Sequence, residues 1–321
     1  MNSPTGVGGR ARPLTWSRTV PRETVHRASV AEVLLTDVRP TADDAFEAAA
    51  AWPRSHTTFP LDGTDRHSPL VLVETLRQLG IYIPLRWYGV PPASHLLITD
   101  LSFGLRPERA PRAGHGCTEV TCRIAVGGHR RGADGVTTGL RLDVTYLADG
   151  RAFAQANGGA RFLSAHGYAA LRTERLTARQ PPPTAEGRPA PAALAVAHLR
   201  DVLITHRGGT VEIDPADPCH PFFFDHPTDH VPGMVLLEAA RQAAAEVSGG
   251  VLLHPTCGRL VAARFAEFTP RASVECVPHH RTCVFRIHNG AERAAYGVLG
   301  YGDSGDYSEN SLDYAGFTSI T

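Results

Sequence analysis

Two stretches of the chain carry the same charged residues inside an otherwise apolar segment, at an offset of 164 residues (74 to 238). The shared pattern is Glu-x-x-Arg-Gln, formed by Glu74, Arg77 and Gln78 in the first copy and by Glu238, Arg241 and Gln242 in the second. A carboxylate can take a proton from an attacking hydroxyl, and a guanidinium can bind a phosphate through two parallel hydrogen bonds. Charged groups are costly to bury unless they are paired or used. These six residues are therefore the first candidates for a catalytic or binding site.

The same residues also have a purely structural interpretation. Glu and Arg three positions apart lie on one face of a helix, so each Glu can simply balance the charge of its own Arg. On the functional interpretation Glu74 and Glu238 are the candidate bases. Arg241 is the preferred phosphate ligand and Arg77 the second, because a guanidinium keeps its charge when it is buried. The two glutamines are assigned to substrate binding as well, although their amides can instead tie each helix to the neighbouring sheet.

The second copy also offers a helix start that suits a carbonyl group. Pro232-Gly233 opens its apolar segment, where unpaired backbone N–H groups and the helix dipole favour an oxyanion. Gly233 lets a substrate approach that backbone closely. The alternative is that the Pro-Gly pair merely begins a helix. His226, in the preceding loop, is the candidate catalytic histidine. The other histidines of these turn-rich loops are predicted to be structural or solvated: His56, His67, His220 and His230.

The apolar pattern predicts the elements that must position these residues. Each copy is predicted to contain one strand, a loop with short turns, one apolar helix and then several strands, which is an α+β arrangement. The predicted later strands cover residues 95–103, 119–126, 138–147 and 151–158 in the first copy, and 259–268, 273–277, 282–288 and 294–300 in the second. The tetrapeptide Ala148-Asp149-Gly150-Arg151 predicts a tight hairpin. Two such units would pair as an internal pseudo-dimer, with one continuous antiparallel sheet and two central helices.

The chain is predicted to divide into five segments. These are a flexible arm over residues 1–25, a first unit over 26–175, a proline-rich linker over 176–192, a second unit over 193–302 and a flexible tail over 303–321. The linker contains Pro181, Pro182 and Pro183 in a row, which makes it stiff. A repeat of this length indicates a duplicated domain rather than a short solenoid unit.

Composition excludes several classes of function. The 321 residues carry 32 basic and 32 acidic side chains, so no general attraction to nucleic acid or anionic membranes is expected. Every basic residue is arginine, which excludes Schiff-base chemistry and a P-loop, since both need a lysine. The six cysteines form no C-x-x-C pair, so we expect no metal site and no cofactor, and free thiols suit a reducing cytoplasm. We expect neither a signal peptide nor a membrane span.

Five phrases of the sequence occur together: Val25-His26-Arg27, EVLLTD from Glu32, AWPRSH from Ala51, ETLRQ from Glu74 and GYAALR from Gly167. With them the chain resembles, over residues 16 to 300, the A-factor biosynthesis family. Its members are hotdog proteins that make γ-butyrolactone signalling precursors in actinomycetes. The resemblance implies a double hotdog fold of the α+β class.

The resemblance also implies an activity. The family joins a β-ketoacyl thioester, carried on acyl carrier protein or CoA, to the hydroxyl of dihydroxyacetone phosphate. The ester can then close by intramolecular condensation to a butenolide phosphate, and some relatives serve furan-type signals instead. The chain is thus expected to be an acyltransferase whose partners are the thioester and the phosphate. Two alternatives stay open: a hotdog thioesterase or 3-hydroxyacyl dehydratase, and a non-catalytic regulator that binds an acyl ligand.

The second copy is also similar to the hotdog dehydratases of fatty-acid synthesis, in the segments 222–227 and 231–239. Its loop between His226 and Pro232 is shorter than theirs, and Arg241 stands where they tend to have a small residue. Both departures disfavour simple dehydration.

Hotdog dimers further imply how the site is assembled, because the loop histidine of one half faces the helix carboxylate of the other. By that geometry His226 should face Glu74, which would take the proton from the attacking hydroxyl. In the mirror site Asp62 should face Glu238. The two sites are therefore not equivalent, and the His226/Glu74 site is expected to be the working one.

Overall fold

The computed structural model describes residues 12–54, 56, 64–175 and 178–302. Three α-helices lie in this part of the chain: α1 Pro69–Trp87, α2 Ala165–Arg172 and α3 Gly233–Val247. The strands of the first half are β1 Leu35–Ala42, β2 Ala45–Pro53, β3 His95–Leu105, β4 Cys117–Arg131, β5 Thr137–Ala148 and β6 Arg151–Leu163. Those of the second half are β7 Ile204–Arg207, β8 Thr210–Ile213, β9 Cys257–Ala262, β10 Ser273–His279, β11 Thr282–Asn289 and β12 Glu292–Gly300. Short 3₁₀ turns precede each half at Arg22–Val25, Val30–Glu32, Pro191–Leu194 and Leu199–Asp201.

The strands of the described residues form one antiparallel sheet in the order β1-β2-β4-β5-β6-β3-β9-β12-β11-β10-β8-β7. Its two halves meet at the β3–β9 pair, where Asp100 lies opposite Val261 and Gly104 opposite Cys257. The long helices α1 and α3 pack on this sheet and contact each other. The predicted α+β double hotdog, with a continuous sheet and two central helices, is confirmed.

Two strands precede each long helix, so the prediction of a single strand there was wrong. The missed strand β2 contains the run Ala48 to Ala51, and alanine has a low strand propensity. Its place in the sheet depends on tertiary contacts instead. One of them joins β2 to α1, because the indole N–H of Trp52 donates to Oγ1 of Thr75 at 3.0 Å. In the second half the missed strand β8 has only four residues.

The strand predicted over residues 259–268 is also shorter than expected and ends at Ala262. The backbone N–H groups of Ala263 and Arg264 both donate to the carbonyl of Ala294, at 2.9 and 3.0 Å. Two residues thus face one, and the regular pairing stops. The predicted hairpin between β5 and β6 is confirmed, with positive φ angles of 48° at Asp149 and 73° at Gly150.

The ends of the chain are only partly described. Residues 1–11 of the predicted arm and the predicted tail 303–321 lie outside the described residues. Within the arm, Val20 and Val25 are buried, and the N–H of Val20 donates to the carbonyl of Leu35 at 2.9 Å. The five segment boundaries stay a prediction.

Candidate active site

The first Glu-x-x-Arg-Gln pattern forms a buried polar node on α1. The side chain of Glu74 is 1 % exposed and accepts hydrogen bonds from Arg77 (Nε to Oε2, 2.8 Å) and Gln78 (Nε2 to Oε1, 2.7 Å). Gln78 also donates to the carbonyl of Glu32 at 2.8 Å and accepts from the N–H of Leu34 at 2.9 Å. The glutamine therefore ties the helix to the turn that precedes β1.

The second copy forms the same node on α3. Glu238 is buried and accepts hydrogen bonds from Arg241 (Nε to Oε2, 2.8 Å) and from Gln242 (Nε2 to Oε1, 2.9 Å). Gln242 donates to the carbonyl of Asp201 and accepts from the N–H of Leu203, both at 2.8 Å. The repeat thus encodes one structural arrangement twice, in which a carboxylate, an arginine and a glutamine join the helix to the start of the sheet.

The two arginines differ in what surrounds them. Nη1 of Arg241 donates to the carbonyls of Leu194 and Leu253, at 2.8 and 3.1 Å, and the side chain is only 7 % exposed. Arg77 donates through Nη2 to the carbonyl of Val25 at 3.3 Å, and its side chain is 15 % exposed. Nη1 of Arg77 donates to no described residue, so this arginine keeps hydrogen-bonding capacity that Arg241 has used.

A further cation, Arg27, lies at the first node. Its Nη2 is 2.8 Å from Oε1 of Glu74, and its Nη1 donates to the carbonyl of Phe222 in the other half at 3.0 Å. In the second half the corresponding sequence position, two residues after the 3₁₀ turn Pro191–Leu194, is occupied by the uncharged Val196. Burial alone would raise the pKa of Glu74, but the charges of Arg27 and Arg77 and the hydrogen bonds to the carboxylate lower it to about 2. Glu74 is therefore an ionised but weakly basic group.

The repeated histidines His56 and His220 each pair with an acidic residue of the turn before the sheet. Nε2 of His56 is 3.1 Å from Oε1 of Glu32, and Nε2 of His220 is 3.0 Å from Oδ1 of Asp201. Nδ1 of His220 also accepts the N–H of Phe222 at 3.2 Å. This geometry suits the structural role predicted for both histidines.

A cavity of about 1390 Å³ lies where the two halves meet. Its walls come from α1, α2, β3, the start of α3 and the loop 222–232. Its apolar lining includes Ile81, Leu96, Ile98, Leu101, Leu236 and Leu260. Of the predicted site residues, Arg77, His226 and Gly233 line this cavity, whereas Glu74, Gln78, Glu238, Arg241 and Gln242 do not. The arrangement combines an apolar compartment with cationic and imidazole groups at its wall.

The first turn of α3 opens into this cavity. Val231, Pro232, Gly233 and Met234 all line it. At the start of α1, the side chain of Ser68 caps the helix by accepting the N–H of Leu70 at 3.2 Å. The residue before α3 is Pro232, whose backbone has the same extended conformation but which provides no side-chain cap. The unpaired N–H groups of this helix start can therefore be satisfied by a bound acceptor.

Two histidines of the cavity wall are held largely neutral. Burial, with the nearby charges of Arg77, His226 and His95, lowers the pKa of His26 to about 4. Burial lowers the pKa of His226 as well; the hydrogen bond to Asp225 opposes this, and the positive charge of Arg77 adds to the lowering. No hydrogen bond joins His226 to Glu74 in the described part of the chain. The predicted mirror partner of Glu238, Asp62, lies outside the described residues.

Helix α2 is a wall of the cavity that the motif analysis left without a role. The hydroxyl of Tyr168 donates to Oδ1 of Asp229 at 2.6 Å, and its ring stacks on His95 with centroids 3.8 Å apart. Arg172 donates through Nε to Oδ2 of Asp229 at 2.9 Å and pairs with Glu267 at 2.6 Å. The signal was available in the sequence, because the GYAALR and Val-His-Arg phrases carry the family resemblance and supply Tyr168, Arg172, His26 and Arg27.

The described residues hold no group of three or more His, Cys, Asp or Glu side chains arranged to bind a metal ion. Within the same ranges, no helix is both long and apolar enough to cross a membrane.

Comparison with known proteins gives a family match. The model of the A-factor biosynthesis hotdog domain matches residues 10–164 and 200–266. A protein of Streptomyces virginiae named 2-oxo-3-(phosphooxy)propyl 3-oxoalkanoate synthase is 37% identical over 267 residues, which cover 81% of this chain and 87% of the relative. A Streptomyces coelicolor protein of the same name is 34% identical over 257 residues, with 78% and 79% covered.

Solved structures with a similar fold are more distant in sequence. An acyl-ACP thioesterase from Bacteroides thetaiotaomicron has 12% identity and a TM-score of 0.49, covering 81% of this chain and 98% of that one. A bifunctional dehydratase-cyclase domain of ambruticin biosynthesis has 17% identity and a TM-score of 0.44, covering 84% and 95%.

Proposed function

Because the chain belongs to the A-factor biosynthesis hotdog family, we propose that it is an acyltransferase that joins a β-ketoacyl thioester to the hydroxyl of dihydroxyacetone phosphate. The product would be the precursor of a γ-butyrolactone, butenolide or furan signal. The relatives' name supports this reaction, since it describes a phosphooxypropyl ester of a 3-oxoalkanoate. The observation that carries the proposal is the apolar cavity with an uncapped helix start and an arginine in its wall.

The thioester carbonyl would bind at the start of α3. Attack on this carbonyl places negative charge on its oxygen, and preorganised backbone N–H groups stabilise such charge. The first-turn N–H groups at Gly233 and Met234 border the cavity without a side-chain cap. The acyl chain would then lie along the apolar lining.

The phosphate would bind Arg77. This guanidinium borders the cavity and has hydrogen-bonding capacity left, which suits a phosphate oxygen. Arg241 remains the ligand predicted from sequence, but it is enclosed by Glu238 and two backbone carbonyls. We therefore assign Arg77 to the phosphate and Arg241 to the charge balance of Glu238.

The proton acceptor would be a histidine rather than Glu74. A carboxylate whose pKa is about 2 is a poor base toward a hydroxyl at neutral pH. We assign Glu74 to holding Arg27 and Arg77 in the wall, and a neutral imidazole to the proton. His226 is the histidine that the family geometry predicts for this role.

The proposal also covers the assembly of the two halves and the cellular compartment. The two halves would act as an internal pseudo-dimer that builds one working site. All six cysteines are free thiols, which supports a reducing cytoplasm.

The test is mass spectrometry of the protein incubated with 3-oxooctanoyl-N-acetylcysteamine, with and without dihydroxyacetone phosphate. We expect a phosphorylated ester, or its butenolide, only when both are present. Dihydroxyacetone without the phosphate is the matched control and should give little product. Free acid or an enoyl product without the acceptor would instead indicate a thioesterase or dehydratase. Acyl binding without turnover would indicate a ligand-binding regulator.

A further inference from the structure

His230 lies on the cavity wall with one edge of its ring fixed. Its Nδ1 is 2.7 Å from Oδ1 of Asp229, and the side chain is 26 % exposed. The ring packs edge-on against Phe265 with centroids 4.8 Å apart. Nε2, on the opposite side of the ring, forms no hydrogen bond with the described residues. A histidine that donates Nδ1–H to a carboxylate leaves the Nε2 lone pair available to take a proton.

The carboxylate that holds His230 is itself held by helix α2. Oδ1 of Asp229 accepts the hydroxyl of Tyr168 at 2.6 Å, and Oδ2 accepts Nε of Arg172 at 2.9 Å. Nη2 of Arg172 also donates to the backbone carbonyl of Asp229 at 2.9 Å. The other edge of this guanidinium pairs with Glu267, which anchors it to the segment after β9. Asp229 is therefore fixed at both oxygens.

His226 is held less firmly by its neighbouring carboxylate than His230 is. Its Nδ1 is 3.5 Å from Oδ2 of Asp225, which is too long for a strong hydrogen bond, and its side chain is 50 % exposed. Asp225 is already occupied, because its two oxygens accept the backbone N–H groups of Ala28 and Ser29. The two loop histidines thus differ in how firmly a carboxylate holds them. Asp229 binds the ring of His230 at short distance, whereas Asp225 already accepts two backbone N–H groups and holds His226 only weakly.

We propose that His230, oriented by Asp229, carries the proton in the acyl transfer. This proposal rests on the proposed function and names a catalytic residue for it. Nε2 takes the proton of the acceptor hydroxyl as its oxygen forms a C–O bond with the thioester carbonyl. When the C–S bond breaks, the imidazolium returns that proton to the leaving thiolate. The products are the ester and the free thiol, with no net change in the histidine. Asp229, Tyr168 and Arg172 are positioning residues.

The test compares His230→Gln and His226→Gln in the full chain, with 3-oxooctanoyl-N-acetylcysteamine and dihydroxyacetone phosphate as substrates. Ester formation is followed by mass spectrometry and thiol release by a thiol reagent. We expect kcat/KM to fall at least ~100-fold in His230→Gln, the lower range for loss of a general base, and less than about tenfold in His226→Gln. His166→Gln, an exposed position on α2, is the control and should match the wild type. Thermal unfolding midpoints of all variants check that the fold is retained.

The pH profile separates a catalytic from a structural role. Of the charged or titratable groups around His230, Asp229 and Tyr168 contact its ring, Arg172 and Glu267 are linked to it through Asp229, and His95 stacks on Tyr168. In the wild type the rate should rise with pH as the base loses its proton. His230→Gln should remove this acidic limb, and Asp229→Asn should lower the rate because the imidazole loses the carboxylate that orients it. Tyr168→Phe should leave the limb but lower the rate.

The outcomes distinguish this proposal from the proposed function. Ester formation by the wild type with an unchanged rate and acidic limb in His230→Gln overturns the role of His230 alone. Loss of the limb in His226→Gln but not in His230→Gln assigns the proton to His226 and also overturns it. If the wild type forms no phosphorylated ester, the proposed function is overturned, and the assignment of His230 as its base is overturned with it.

Discussion

Glu74 and Glu238 show how one sequence pattern can serve two environments. Both carboxylates pair with an arginine and a glutamine of their own helix. Glu74 alone has Arg27 as well, and its partner Arg77 reaches the cavity. The same local geometry is therefore enclosed by protein in the second half, whereas in the first half it places a cation at the cavity wall.

The two arginines give a matched pair of variants. Arg77→Gln should raise KM for dihydroxyacetone phosphate by roughly 10- to 100-fold, since a hydrogen bond to a charged group contributes about 1.5–3 kcal/mol. Arg241→Gln should leave this KM unchanged but lower the unfolding free energy by roughly 3–5 kcal/mol, because it leaves Glu238 buried without its cation. Steady-state kinetics and urea unfolding measure the two effects. A large KM effect in Arg241→Gln would restore Arg241 as the phosphate ligand.

Glu74 should also make stability depend on pH. Its pKa in the folded chain is about 2, below its value in the unfolded chain, so its ionised form stabilises the fold. This contribution is fully present above the unfolded pKa of about 4.3 and is lost as the pH falls toward the folded value. We expect the unfolding free energy of the wild type to drop more than that of Glu74→Gln between pH 5 and pH 3. Equal slopes in urea titrations would contradict the ion-pair assignment.

At the scale of elements, the two long helices differ mainly at their first turns. Ser68 caps α1, whereas Pro232 leaves the start of α3 without a side-chain acceptor. An uncapped helix start costs stability, which agrees with the proposed binding role, because the same N–H groups cannot serve a cap and an oxyanion together.

Introducing a side-chain cap at the start of α3 should therefore raise stability and lower activity. Pro232→Ser should stabilise the chain by about 0.5–2 kcal/mol relative to Pro232→Ala, which is the usual contribution of an N-cap. Its kcat should fall below that of Pro232→Ala, since the hydroxyl competes with the substrate carbonyl for the N–H groups. Thermal unfolding and kinetics of the two variants test this. A higher kcat in Pro232→Ser would contradict an oxyanion role for this helix start.

At the scale of the whole molecule, the two halves share one sheet and one cavity. Strands β3 and β9 join them directly, and Arg27 crosses from the first half to the carbonyl of Phe222. The proposed site is thus built from the helix of one half and the helix start of the other. Neither half contains all of it.

This shared sheet predicts that the halves unfold together. The thiols of Cys122 in the first half and Cys283 in the second are fully buried and free. Maleimide labelling of the two cysteines along a urea series, read by peptide mass spectrometry, should give the same midpoint. Tryptophan fluorescence, which reports on the first half through Trp52, should coincide with them. Two separate midpoints would show that the halves are independent folding units.

The sequence by itself determined the repeat, the α+β double hotdog, the two buried helices and the family, because apolar periodicity and rare phrases are local properties of the chain. It also determined which charged residues had to be paired. It could not identify β2, where four alanines give no strand signal and the strand is placed by its antiparallel pairing with β1 and β4.

The tertiary structure decided which of these residues reach the cavity. Arg77 and Arg241 share the Glu-x-x-Arg-Gln pattern, yet Arg77 borders the cavity and Arg241 is enclosed, because the backbone carbonyls of Leu194 and Leu253 that surround Arg241 come from distant parts of the chain. The same is true of His230, which the sequence analysis predicted to be structural or solvated. Its carboxylate is adjacent in the chain, but the groups that hold that carboxylate belong to α2 in the other half. Such contacts depend on how the two halves meet, and spacing along the chain does not encode them.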